Sequence, residues 1–201
     1  MHSYIATEHL ASVVATSALQ LLAPAAAEPL GQDPAEYLAA RGLFAVLAAQ
    51  LRRPSLTAWH TWPYASYQTV GHAIAAAAGR LDAWPDGSTP QPSDALVSGL
   101  AACAVAHMSR CRLPLPPQFF EHVKATHLAR AGRAVWTDCS ILAGMLRSRR
   151  RRRHALAAGA VPAMVAALRW SLQSKLPSAE AGAVLDGFSV ASSCDPGVQL
   201  H

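Results

Sequence analysis

Apolar residues recur at intervals of three and four along most of this chain, and strict alternation of β-branched residues is absent. That interval is the helical one. The segment "PPQFFEHVKATHLARAG" puts Phe119, Phe120, Val123 and Leu128, with His127, on one side of a helix. It opens on Pro116-Pro117, which suits a first turn, and runs to Gly132, where a helix is expected to stop. "WTDCSILAGMLRSR" follows, with Thr137 or Asp138 placed to cap and Ile141, Leu142, Met145 and Leu146 facing inward. Together they predict a helix, a short turn and a second helix.

The same pattern extends in both directions. His154 to Ser174 predicts one helix with Met164, Val165, Leu168 and Leu172 on one face, and Pro162 in its first turns or at a kink. A new helix starts after Pro177, with Ser178 as cap. Upstream, "YQTVGHAIAAAAGRL" and "SDALVSGLAACAVAHMSR" flank the turn-rich "AWPDGSTPQP". Nearer the start, "HLASVVATSALQLL" precedes "DPAEYLAARGLFAVLAAQL", where Asp33 is an N-cap, Pro34 the first helical residue and Glu36 the partner in a capping box.

The chain therefore predicts an all-α fold, an α-solenoid of about four antiparallel helical hairpins, with units near 5–53, 64–110, 114–150 and 154–192 and a tail at 193–201. A recurring glycine supports it. "LVSGLAACA", "ILAGMLRSR" and "VLDGFSVAS" centre on Gly99, Gly144 and Gly187, spaced by 45 and 43 residues. A glycine inside a helix costs about 1 kcal/mol against alanine, so it needs a reason. Close approach of a stacked neighbour is the one a solenoid supplies.

Composition agrees with helices, since 43 of the 201 residues are alanine. The uncharged runs fall short of a spanning segment or are broken by polar residues and Pro24, so no membrane insertion is expected. No arginine precedes Arg41 and Glu8 lies in "MHSYIATEHL", so the start resembles neither a secretory signal nor an arginine-rich transit peptide. Cys103, Cys111, Cys139 and Cys194 form no CxxC pair and are too sparse for a disulfide scaffold.

Charge changes the picture more. Arg110 to His154 holds eleven Lys/Arg against two acids, a local net of +9, whereas the remainder nets −4. The centre of this segment is "RSRRRRRH", with Arg147, Arg149, Arg150, Arg151, Arg152 and Arg153. Guanidinium groups pair bidentately with phosphate, and such contacts position a protein without reading bases. Lys124, Arg130 and Arg133 lie on the neighbouring predicted helix and would extend the surface to a basic ridge. The same run also suits a solvated interhelix loop or a nuclear localisation patch.

"LPLPPQFFEHVKATHLARAGRAVWTDCSILAGMLRS", Leu113 to Ser148, resembles one repeat of the octotricopeptide class and the helical repeats that precede RAP domains. Its Pro-rich start, early aromatic and Leu/Ala-spaced second helix carry the resemblance, which extends weakly to Asp94–Arg110 and Ser178–Ala191. The Pro-Pro-aromatic opening occurs once, and the period is longer than the family's usual one. "AGAVPAMVAALR" separately resembles an armadillo-repeat helix. The first resemblance implies RNA binding in a mitochondrion or a chloroplast, within a ribosome or a transcript-processing complex.

Other candidates are weaker. Cys103, His107 and Cys111 are four apart on one predicted helix and are zinc-like ligands, with His122, His127 or Cys139 as a fourth only if the fold delivers one. No recognised zinc spacing is present and buried free cysteine is common in helical cores, so no metal or other cofactor is expected. Trp59, Trp62, Tyr64 and Tyr67 suit a core edge or a protein partner better than RNA, having little basic charge nearby. No nucleotide loop, nucleophile–base motif or paired carboxylates stand out, so an enzyme is not expected. The basic segment, read with the octotricopeptide resemblance, leads to the expectation of a non-catalytic RNA-associated protein contacting RNA, rRNA in the sharpest form, and neighbouring proteins of an organellar ribonucleoprotein such as the mitochondrial ribosome. The rival is an armadillo- or HEAT-like scaffold whose arginines face acidic protein surfaces.

Overall fold

A computed structural model of the protein describes residues 34–52, 64–82, 84, 86–87, 89, 91–113 and 121–174. Among these residues the structure is all-α, with no strand. Seven helices follow in order: α1 (Pro34–Ala40), α2 (Leu43–Arg52), α3 (Tyr64–Asp82), α4 (Asp94–Cys111), α5 (Glu121–Arg147), α6 (Arg152–Ala157) and α7 (Ala160–Gln173).

Helix α4 is the common partner, touching all six of the others. Its sequence allows this, because "DALVSGLAACAVAHMSRC" is apolar or small on nearly every side. Leu96, Leu100 and Met108 of α4 are fully buried among Phe44 and Leu47 of α2, Ile74 and Leu81 of α3, Leu142 of α5 and Met164 of α7. Its start is fixed twice. The Ser93 hydroxyl accepts from the Leu96 N–H at 3.1 Å, and the Ser93 N–H donates to Glu36 Oε1 of α1 at 2.7 Å. Glu36 thus serves the neighbouring helix. Asp33, the cap expected there, lies outside the described residues.

Several predicted elements are corrected. The hairpin expected over 114–150 is not formed, since α5 runs unbroken for 27 residues through Gly132. No proline interrupts it, and two interior glycines at about 1 kcal/mol each cost less than exposing a helix face that packs on α4. Thr137 does not cap; its hydroxyl donates to the Arg133 carbonyl one turn back at 3.0 Å. The single helix expected from His154 divides into α6 and α7 at Gly159, whose φ of 83° a side chain would resist. Pro162 then falls in the first turn of α7, where its missing N–H is harmless. Arg41 and Gly42 (φ 76°) likewise divide α1 from α2.

The glycines expected to be equivalent are not. A Cβ at Gly99 would lie 2.6 Å from the Phe44 Cβ, so this glycine lets α2 and α4 approach. A Cβ at Gly144 would meet nothing within 4 Å. Gly187 lies outside the described residues. Gly99→Ala should therefore destabilise the protein by about 1–3 kcal/mol through overpacking. Gly144→Ala should stabilise it by about 1 kcal/mol. Denaturant unfolding of the two variants checks this, and equal effects would restore the repeat.

Candidate nucleic-acid interface

The arginine run is a tight turn, Ser148–Arg151, between α5 and α6, and the chain spends much of its charge on itself. Asp86 clips it in place: its carboxylate accepts from the Ser148 hydroxyl at 2.6 Å and from the Arg149 N–H at 2.8 Å. The Ser148 hydrogen bond, with the Arg149 N–H and the charges of Arg151 and Arg150, holds the Asp86 carboxyl below its usual value. Arg151 is buried. Its Nη2 donates to the Leu81 carbonyl at 2.6 Å and to the Trp84 carbonyl, and its Nη1 lies 3.7 Å from Asp82. A guanidinium thereby satisfies carbonyls at the end of α3, where the helix dipole favours a cation. Arg152 does the same for α5, with Nε donating to the Leu146 carbonyl at 2.8 Å.

Arg153 points across to α4. Its Nη2 donates to Asp94 Oδ2 at 2.8 Å, and His154 Nε2 lies 3.2 Å from Asp94 Oδ1. His154 Nδ1 is 2.6 Å from the Ser98 hydroxyl. Between these elements lies a cleft of 380 Å³ lined by Arg149, Arg150, Arg151, Arg153, His154 and Asp94, among others. The five consecutive arginines thus meet three aspartates, Asp82, Asp86 and Asp94, which leaves a surplus of two positive charges. All three aspartates lie outside the segment Arg110–His154, so the local net of +9 overstates the charge of the turn.

The side chains of Arg147, Arg149 and Arg150 are exposed, and their guanidinium groups make no hydrogen bond to a described residue. On α5, Arg130, Arg133 and Arg147 fall within a sector of roughly 100° at 100° per residue. Arg130 and Arg133 are exposed there. Lys124 lies on the opposite side of the helix from Arg133 by the same count, and both Lys124 and Arg130 already interact with other groups of the protein. The nine basic positions expected to form one ridge therefore divide: Arg151 and Arg152 hold helix ends, Arg153 pairs with Asp94, Lys124 faces away, Arg130, Arg133 and Arg147 share one sector of α5, and Arg149 and Arg150 are exposed in the turn beside the cleft.

Of the zinc candidates on α4, Cys103 is directed away from the other two. The Cys103 thiol donates to the Phe44 carbonyl at 2.9 Å, toward α2. Among the described residues no three His, Cys, Asp or Glu side chains could hold a metal ion. Burial pushes the Cys103 and Cys139 thiols up to about 12. Trp59 and Trp62 lie outside the described residues, as do the side chains of Tyr64 and Tyr67.

One polar group was not foreseen. His107 Nδ1 of α4 lies 2.8 Å from Asp138 Oδ2 of α5, and its Nε2 lies 3.5 Å from the Cys111 thiol. Thiol, imidazole and carboxylate in that order are the members of a nucleophile–base–orienter set. Here, however, His107 is 0%, Asp138 1% and Cys111 6% exposed, so the set is closed to a substrate. Its effect is structural, as a polar clamp between two helices. The signal was present in the sequence as a polar residue on each of two apolar faces, "AVAHMSR" and "VWTDCSIL". Nothing there paired them across 31 residues.

No family model, curated protein or solved structure matches this chain.

The clamp gives a pH dependence. Burial alone would depress the His107 imidazole, but the Asp138 carboxylate and the Cys111 thiol outweigh it and hold its pKa well above the usual value. Burial likewise raises the Asp138 carboxyl against the pull of His107. Both shifts have one sign: the folded state holds protons more tightly than the unfolded chain. The His107 contribution is complete below an ordinary histidine pKa of about 6.5 and is lost as pH rises through the raised value. Between about 6.5 and the raised value, unfolding free energy should fall by up to about 1.4 kcal/mol per pH unit. Asp138→Asn should abolish the slope, as urea melts at a series of pH values would show.

Proposed function

We propose that this protein is a non-catalytic, RNA-associated helical protein that holds RNA phosphates on the open arginine side of α5 and the turn after it. One observation carries this. Arg149 and Arg150 are exposed on the wall of a cleft whose rim is cationic, and Arg147 is exposed just before them, none of the three with a guanidinium hydrogen bond to a described residue. Such forks match phosphate oxygens bidentately, and the contacts would be independent of sequence. The assembly we propose is an organellar ribonucleoprotein, such as the mitochondrial ribosome, on the resemblance of Leu113–Ser148. There the protein would wedge between rRNA and neighbouring proteins. A regular four-hairpin solenoid is not needed for this role, because one long helix supplies the face. Among the described residues no helix is long and apolar enough to cross a membrane.

A second reading has its own observation. Asp82, Asp86 and Asp94 confine the surplus charge to a local tuft, which is what a protein-binding scaffold facing an acidic partner would also show. The two are separable by salt. Replacing Arg147, Arg149 and Arg150 together with glutamine should lower the slope of log K against log salt by about two units for single-stranded RNA. All RNA sequences should be affected alike. Arg151→Gln should act differently, lowering stability by about 2–3 kcal/mol through lost hydrogen bonds to carbonyls while leaving the slope of the folded protein unchanged. Fluorescence anisotropy across a salt series, with melts of each variant, measures both. Unaltered RNA association in the triple variant would favour the scaffold.

A further inference from the structure

We infer that Trp136 is a base-stacking position and that the open face of α5 takes single-stranded rather than duplex RNA. This rests on the phosphate-binding role proposed above and names the form of RNA that role serves.

Trp136 is 42% exposed and is the largest of the six large hydrophobic side chains exposed among the described residues. Its surroundings are not those of a protein-docking hot spot. Such an anchor sits among apolar neighbours that exclude water. The other exposed positions described on α5 are Ala125, Thr126, Arg130, Arg133, Ser140 and Arg147, of which only Ala125 is apolar. No acid lies among them; Asp138, the nearest in sequence, is buried against His107 on the far side.

Side chains on a helix lean toward its N-terminus, and Arg133, three residues back from Trp136, lies on the side toward which that lean runs. On the other side, Ser140 and Gly144 are small, and the space beside Gly144 is open. A flat aromatic surface flanked by one cation and a cleared strip of backbone suits a base against the ring with its phosphate on Arg133. Stacking is sequence-tolerant, since every base has a π-face, and it is possible only where bases are unpaired. In duplex RNA the faces are already occupied by their neighbours.

Two probes of equal phosphate count test this: a single-stranded uridine oligonucleotide and a fully paired RNA duplex. In the full-length protein, the single strand should quench a component of tryptophan fluorescence that is missing from Trp136→Leu. That variant should bind the single strand about ten-fold more weakly and the duplex as well as wild type does. Trp136→Phe, which keeps a ring, should recover most of the affinity. Thermal melts of both variants show that the fold is retained. Unchanged single-strand binding by Trp136→Leu, or an equal loss on both probes, would overturn the stacking position while leaving phosphate binding intact. Wild-type protein that binds neither probe would overturn both.

Discussion

The hydrogen bond between His107 and Asp138 sets the rotation of α5 about its own axis, and much of what the protein shows to solvent follows from it. Two buried, ionisable groups cannot part without leaving each other uncompensated, which costs about 3–5 kcal/mol when one partner of a buried pair is removed. The contact lies midway along α5 and near the end of α4. Cys139 reinforces it, with its thiol donating to the Met108 sulfur at 3.4 Å, and the Ser148–Asp86 hydrogen bond pins the C-terminal end of the same helix. With Asp138 turned inward, the positions half a turn away must face out. Those are Arg133, Trp136, Ser140 and Arg147. The buried pair and the open basic face are two sides of one helix.

Arginine does two jobs in this fold, and they separate by depth. Arg151 and Arg152 are drawn to the carbonyl ends of α3 and α5, where a guanidinium satisfies acceptors that the helix leaves over. Arg149 and Arg150, one and two residues earlier, find no such acceptors and stay in solvent. Five like charges in sequence are tolerable because each alternative site removes one from the mutual repulsion. The exposed Arg153–Asp94 pair adds little stability of its own, being well solvated on both sides. Its consequence is electrostatic, since it lowers the surplus charge of the turn.

Much of the helical content was legible in the chain, because alanine-rich apolar spacing, Pro34 and Pro162 are local signals that act over one or two turns. The division of those helices was less so. Gly132 carries a stop signal, yet α5 passes through it, since packing against α4 outweighs a local penalty of about 1 kcal/mol. Gly159 carries a similar signal and does divide two helices, its left-handed backbone favouring a glycine. The run of arginines was visible as charge, but its neutralisation was not. Arg149 meets Asp86 across 63 residues, Arg153 meets Asp94 across 59, and Arg151 reaches the Leu81 carbonyl across 70. Separations of that kind are set by the fold and leave no periodic trace. Trp136 was overlooked for the opposite reason: it belongs to an outward stripe that only the rotation of α5 defines.

Ultraviolet crosslinking of the protein to RNA, followed by mass spectrometry of the tryptic peptides, tests the account most directly. Cleavage after Arg133 and Arg147 isolates the peptide that spans residues 134–147 and contains Trp136. RNA attached to that peptide and to the adjoining arginine turn is the result expected if α5 presents the binding face. RNA attached instead to residues of α1 and α2, with none on 134–150, would contradict it.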